Sequence, residues 1–441
     1  MNNTIVSLIT APINAAVAVI RLSGDNSLEI AQNIFSRKIE KPNYAYVGKL
    51  INNNEIIDEV VLIYYKAPKS FTGEDVVEIS IHGSMLIANE VISLIIAKGA
   101  RLAQRGEFSS RAYYNNKIDL IQAEAIMSMV EATSIEAKKL ALYSLEGDTS
   151  KLIKPLIDKL ADILSNIEVN IDYPEYLDIE EVTFDKVKKE CTLISNEIDK
   201  LLNQSKKSQY IISGIKVALV GLPNTGKSSL LNAFLGKNKA IVTNIPGTTR
   251  DIVEGSINLN GIKLDLLDTA GIHESDDEVE NIGINKSKES LDEAELVLLV
   301  LDASNELNDI DKELLELTKN KNRIIVLNKC DLDKKLDIEG IEISAINQDI
   351  SLLKNKIIEV LGFDIKDYKN KALLTSSRQI GLINKTKEAL LNIKELINNE
   401  APFDILSVDM KVAYDSLKEI LGEISSLGYD DVIFSKFCVG K

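Results

Sequence analysis

An apolar run, Lys216-Val217-Ala218-Leu219-Val220, leads straight into Gly221-Leu222-Pro223-Asn224-Thr225-Gly226-Lys227-Ser228, and a helix-like segment follows from Ser229 to Leu235. Strand, G-x-x-x-x-G-K-S loop and helix in that order constrain the fold more than any other feature of the chain. The glycines let backbone N–H groups turn inward, and the helix N-terminus adds partial positive charge, so the loop is shaped to hold a phosphate chain. Lys227 supplies a full charge to the β- and γ-phosphates, and the Ser228 hydroxyl can ligate Mg²⁺. Asn224, Thr225, Gly226 and Ser229 complete the candidate phosphate-binding set.

Further elements follow in the order of a Ras-like G domain. Thr248-Thr249-Arg250-Asp251 comes after a turn at Pro246-Gly247, and Thr249 is the candidate switch threonine for Mg²⁺ and the γ-phosphate. Leu264 to Leu267 is an apolar strand ending in Asp268-Thr269-Ala270-Gly271. Asp268 can hold Mg²⁺ through water, and the Gly271 N–H can sense the γ-phosphate. Ile324 to Leu327 is a buried-type strand ending in Asn328-Lys329-Cys330-Asp331. Asp331 can accept hydrogen bonds from guanine N1 and N2, for which adenine has no matching donors, so GTP is favoured over ATP. Ser344-Ala345 resembles the last base-contacting loop. The residue after Gly271 is Ile272, which cannot orient water as the glutamine of Ras does, so that role must fall elsewhere.

A chain of 441 residues is too long for one ordinary core and implies two to four domains. The start carries neither the basic nor the apolar region of a signal peptide, no stretch reaches the length of a membrane span, and the three cysteines lack Cys-x-x-Cys spacing; the cytoplasm is the expected compartment. Net charge is −16, so the chain as a whole lacks the cationic surface of a non-specific nucleic-acid binder. Action on RNA would need a local patch or a partner.

Val17 to Ile20, Val60 to Tyr64 and Val76 to Ile81 read as strands, and Ala88 to Lys98 as a helix stopped by Gly99. From Asp119 the pattern turns helical, opening on an Asp119/Gln122 capping box. Leu152, Leu156, Leu160, Ile163, Leu164 and Ile167 fall at helical spacing, as do Val187, Cys191, Ile194, Ile198 and Leu201. Helices return after residue 372, on Ile380, Ile383, Leu390, Ile393 and Ile397, and then on Ile405, Val408, Val412 and Leu417. The expected fold class is therefore multidomain α/β and α. It comprises an N-terminal mixed α/β domain (1–117), a discontinuous helical domain (118–212 and 372–441) and an inserted P-loop G domain (213–371).

Four further segments carry a family resemblance: Val19-Ile20-Arg21-Leu22-Ser23-Gly24; Ser70-Phe71-Thr72-Gly73-Glu74-Asp75 with His82-Gly83; Gly106-Glu107-Phe108 through Lys117-Ile118-Asp119-Leu120; and the terminal Phe437-Cys438-Val439-Gly440-Lys441. With the G motifs between helical segments, the whole chain resembles the tRNA modification GTPase family known as MnmE or TrmE. The resemblance implies that Asn224 coordinates K⁺ with ligands from Thr243, Ile245 and Thr248, that K⁺ takes the place of an arginine finger and lets two G domains pair as a homodimer, and that Glu280 orients the attacking water. It makes the N-terminal region similar to tetrahydrofolate-binding domains, with Arg21, Glu78, Lys117 and Lys441 at positions that contact a 5-formyltetrahydrofolate-type ligand. It also implies a flavin-dependent partner of the MnmG or GidA type and modification of C5 of the wobble uridine of tRNA. Lys227, Glu280 and Cys438 are the candidate catalytic residues. Cys438 has the outline of a prenylation box, but Gly440 and a terminal lysine suit that signal poorly, and a tail reaching the folate site fits better; chemical, redox and structural roles for its thiol stay open.

The alternative reading is a GTP-dependent ribosome-assembly switch, whose relatives carry a second G domain or an appended RNA-binding domain. A third is a folate-binding regulatory protein. From the Asn224 assignment, GTP hydrolysis is expected to be much faster in K⁺ than in Na⁺ at equal ionic strength; equal steady-state rates would remove that assignment.

Overall fold

Alternation of buried and more exposed residues along the longer strands builds a sheet from the first 102 residues. The computed structural model describes residues 4–172, 184–205, 208–212, 214–235, 253–259, 261–268, 291–362, 372–424, 429–435, 437 and 440. The strands are β1 (Ile5–Leu8), β2 (Val17–Ser23), β3 (Ala45–Asn52), β4 (Glu55–Tyr65), β5 (Val76–His82) and β6 (Arg101–Leu102), in the order β3-β4-β5-β2-β1-β6. Only β6 runs parallel to its neighbour. The expected strands lie within β2, β4 and β5. The short β1 and β6 and the mixed pattern of β3 escaped the sequence reading.

One face of this sheet is covered by helices Ser27–Ile34 and Met85–Ala97. Ile20, Leu22, Leu62 and Ile79 pack there with Ile30, Ile34, Val91 and Ile95, all nearly or fully buried. The helix expected from Ala88 begins one turn earlier, at Met85. The opposite face keeps Val17, Val47 and Val61 exposed.

At one end of the uncovered face, ions replace apolar side chains. Arg21 pairs with Glu78 at 2.7 Å, across a directly opposed β2–β5 position. Arg111, 9% exposed, pairs with both Glu74 at 2.8 Å and Glu107 at 2.9 Å. Glu74 also accepts from the Ser23 hydroxyl. Burial alone would raise the Glu107 pKa, but bonds from Arg101, the Gln104 N–H and Arg111 outweigh it and hold the carboxyl below its usual range.

The helical segments follow their apolar spacing, with two corrections. Asp119 and Gln122 cap each other's backbone N–H at 2.8 and 3.0 Å ahead of helix Leu120–Glu131. Helix Asp148–Asp172 buries Leu156, Leu160, Ile163, Leu164 and Ile167 as expected, but Leu152 is exposed and Ile153 takes its place. Helix Phe184–Ser205 buries Val187, Cys191, Ile194, Ile198 and Leu201. Helix Ser377–Asn398 buries Ile383, Leu390, Ile393 and Ile397, with Ile380 half-buried. In helix Phe403–Leu421 the expected face is turned: Ile405 and Val408 are exposed, Val412 is half-buried, and Leu406, Met410, Ala413 and Leu417 form the buried stripe. Two apolar stripes at helical spacing compete there, and the longer one, continuing to Ile420 and Leu421, packs inward.

The chain divides into two compact units. One comprises Met1–Met127, Ser144–Ser195 and Gly381–Lys441, and the other Ser128–Tyr143 and Asn196–Ile380. In the first, Gly440 lies against the backbone of Leu8 and Ile9, and Phe437 packs at a tilt against Phe434, which in turn meets Tyr113. The second holds another six-stranded sheet from β7 (Ile215–Val220), β8 (Val253–Leu259), β9 (Ile262–Asp268), β10 (Leu296–Asp302), β11 (Arg323–Asn328) and β12 (Ile341–Glu342). Its order is β12-β11-β10-β7-β9-β8, with only β8 antiparallel, the arrangement of a Ras-like G domain. Cores line both faces, which is why β7 and β10 read as unbroken apolar runs.

Arg111→Ala leaves two partly buried carboxylates without their shared cation. It is expected to lower stability by about 3 kcal/mol, as broken buried pairs do, read as a fall in the unfolding midpoint of the first unit.

Candidate nucleotide site

In the second unit the strand order reverses between β7 and β10, and ligands of such sheets bind at the carboxyl ends of the strands on either side of that point. The loop after β7 starts there. A Cβ on Gly221 would stand 2.3 Å from the Val300 carbonyl of β10, so only glycine lets the loop leave so close to the neighbouring strand. Asn224 is exposed, with φ of 62°, and Pro223 beside it is exposed as well. Gly226 has φ of 96°, and a Cβ there would lie 2.1 Å from the Asn328 amide nitrogen. Helix Lys227–Leu235 then begins, with the Ser228 and Ser229 side chains exposed in its first turn.

The Lys227 ammonium donates to the carbonyls of Gly221 at 2.7 Å and Leu222 at 2.8 Å. These are oxygens of the loop itself, in the place where phosphate oxygens would compete for the charge. Thr225 is buried and donates to Leu222 O at 2.9 Å.

Asn328 is 2% exposed at the end of β11. Its amide donates to Thr225 O at 2.8 Å and accepts from the Ala345 N–H at 3.0 Å. One side chain thus joins the phosphate loop, the Asn328–Asp331 loop and the Ser344–Ala345 loop. Lys329, with φ of 67°, reaches Asp302 at the end of β10 at 2.6 Å. Asp331 accepts from the Ser344 hydroxyl at 2.6 Å. A cavity of about 340 Å³ adjoins this arrangement, with Asn224, Thr225, Asp302 and Lys329 in its wall.

The structure therefore brings together Asn224 to Ser229, Asn328, Lys329, Asp331, Ser344 and Ala345. Asp268 closes the neighbouring β9. Thr243, Ile245, Thr248, Thr249, Gly271, Glu280, Cys438 and Lys441 lie outside the described residues. Among the described residues no group of three or more His, Cys, Asp or Glu could hold a metal. The Mg²⁺ and K⁺ sets named from sequence use hydroxyl, amide and carbonyl oxygen instead, a donor type that suits both ions.

The second expected site lies in the first unit. The Arg21 guanidinium sits 5.1 Å from the Phe71 ring and 5.5 Å from the Phe108 ring while paired to Glu78. Lys117 is exposed and donates to Pro68 O at 2.9 Å. Sequence reasoning missed the Asn328 clamp, the Asp302 anchor and the Arg111 network. Asp302 and Asn328 left a signal, each as the first polar residue after an apolar run.

Two family models match the chain: the GTP-binding protein TrmE N-terminus over residues 4–117 and the MnmE helical domain over residues 120–438. Proteins named tRNA modification GTPase MnmE are similar over its full length. That of Lactococcus lactis subsp. cremoris (strain MG1363) is 42% identical, covering 100% of this chain and 98% of the relative. Those of Malacoplasma penetrans (strain HF-2) and Clostridioides difficile (strain 630) are 42% and 40% identical, each covering 100% of both chains.

Asn328→Ala strips Thr225 O and Ala345 N–H of a buried partner. It is expected to cost about 2 kcal/mol of stability and to weaken guanine-nucleotide binding, measured by thermal unfolding and by titration with a fluorescent GDP analogue.

Proposed function

The chain belongs to the MnmE family of tRNA modification GTPases and is a GTP hydrolase, and from that premise we propose that it modifies C5 of the wobble uridine of tRNA, adding an aminomethyl or carboxymethylaminomethyl group with a folate one-carbon unit. The observation that supports the GTPase half is the three-loop junction at Asn328, which ties the loop that carries Lys227 to the loops that carry Asp331 and Ser344. Lys227 exchanges the Gly221 and Leu222 carbonyls for phosphate oxygens, which accept its charge-assisted bonds more strongly. Asp331, steadied by Ser344, accepts from the guanine edge. Ser228 and Thr249 would hold Mg²⁺, and Asn224 with Thr243, Ile245 and Thr248 would hold K⁺; the ions would supply positive charge beside the phosphates. Glu280 orients the attacking water, the part that Ile272 cannot take.

The Arg21–Glu78 pair supports the folate half. Glu78 offers a carboxylate to pterin N–H donors, while Arg21, Lys117 and Lys441 suit the carboxylates of the folate tail. Before a ligand arrives, Arg21 and Glu78 satisfy each other, and the Phe71 and Phe108 rings flank the guanidinium. The exposed Val17, Val47 and Val61 on the N-terminal sheet support a homodimer. The net charge of −16 supports a division of labour in which a flavin-dependent partner of the MnmG or GidA type supplies much of the tRNA-binding surface. No helix of the described residues is long and apolar enough to cross a membrane, and we place the reaction in the cytoplasm.

Mass spectrometry of tRNA nucleosides tests this reading. A deletion strain should lose C5-modified wobble uridine, and Lys227→Ala should fail to restore it. Unchanged nucleosides, with no second route to them, would leave a ribosome-assembly switch as the better account.

A further inference from the structure

We propose that Asp302 is a positioning residue of the nucleotide site, anchoring Lys329 so that the lysine stem forms a fixed support for the guanine base. The inference rests on the guanine-site reading above.

Asp302 stands at the carboxyl end of β10, beside the point where the strand order reverses, with its Cα directly opposite that of Asn328. Its carboxylate is held by its own loop before any lysine arrives. One oxygen accepts from the Ser304 N–H at 3.0 Å and the Ser304 hydroxyl at 2.7 Å. The other accepts from the Asn305 amide at 3.0 Å and from Lys329 at 2.6 Å. Burial alone would raise its pKa, but the bonds from Lys329 and Ser304 outweigh that and hold it ionised.

Lys329 adopts a left-handed backbone conformation unfavourable for a side chain with a Cβ. Within the four residues Asn328–Asp331, three side chains thereby gain separate anchors: Asn328 to Thr225 and Ala345, Lys329 to Asp302, Asp331 to Ser344. A lysine stem is apolar and covers flat surface well, but it is also rich in rotamers. Fixing it before the base arrives removes that ordering cost from binding. The cavity beside the pair also presents Glu306 and Asp311, so an unanchored Lys329 has other carboxylates to follow.

The test uses the full-length protein with Mg²⁺ and K⁺, titrated with a fluorescent GDP analogue and assayed for steady-state GTP hydrolysis. Asp302→Ala should raise Kd and KM about fivefold to tenfold, the range expected for one mobilised side chain, with kcat unchanged because base contacts are equal in ground and transition states. Asp302→Asn, which keeps an acceptor for Lys329, should lie between wild type and alanine. In a Lys329→Ala background the Asp302→Ala effect should vanish. Unchanged affinity in a folded Asp302→Ala protein, or an equal loss with and without Lys329, overturns the inference; should Asp302→Ala fail to fold, wild-type affinity in Asp302→Asn with no loss on removing Lys329 overturns it as well. Wild-type protein that binds no guanine nucleotide would instead bring down the guanine-site reading itself.

Discussion

The amide of Asn328 is the contact on which the second unit's site depends. Its two hydrogen bonds span 103 and 17 positions of sequence, binding the phosphate loop to the two loops that face the base. A fully buried amide has no water to fall back on, so both partners must stay in place. That requirement fixes Gly226 as well, because the amide nitrogen occupies the space where any Cβ would project. Phosphate and base recognition are therefore mechanically one structure: a disturbance at either end reaches the other through a single side chain.

The first unit relies on charge where the second relies on a neutral amide. Arg111 gathers Glu74 and Glu107, Glu74 holds Ser23 at the end of β2, and Arg21 of the same strand pairs across to Glu78 of β5. Buried pairs of this kind cost much to break, yet gain little over well-packed apolar side chains in their place. Their value lies in geometry, since each carboxylate has several donors and so a single resting position. A cluster assembled this way is stiff.

β7 and β11 were readable because they are buried on both faces and appear as apolar runs; β10, equally apolar, was not singled out. The phosphate loop was readable because its glycines answer steric demands that no other residue meets, as at Gly221. The loops' mutual bonds were not. Asn328 carries the same three-letter identity whether it faces a ligand or the protein interior, and nothing local reveals that Thr225 is its partner. Helix Phe403–Leu421 shows the other limit: Ile405 and Leu406 both fit an apolar stripe, and only packing against distant segments decides between them. Two-residue strands such as β6 are too short to carry a period at all.

Gly440 rests on the backbone of Leu8 and Ile9, and the unit that contains them is assembled from the beginning, the middle and the end of the chain. The nucleotide-binding unit, by contrast, is complete once residue 380 has been made. On the ribosome the first unit is therefore begun first and finished last: its six strands are all made by residue 102, yet the interior unit can close before residues 381–441 leave the exit tunnel. A newly made chain can thus lay down its N-terminal sheet first and its GTP site second, while the helical remainder of the first unit arrives last.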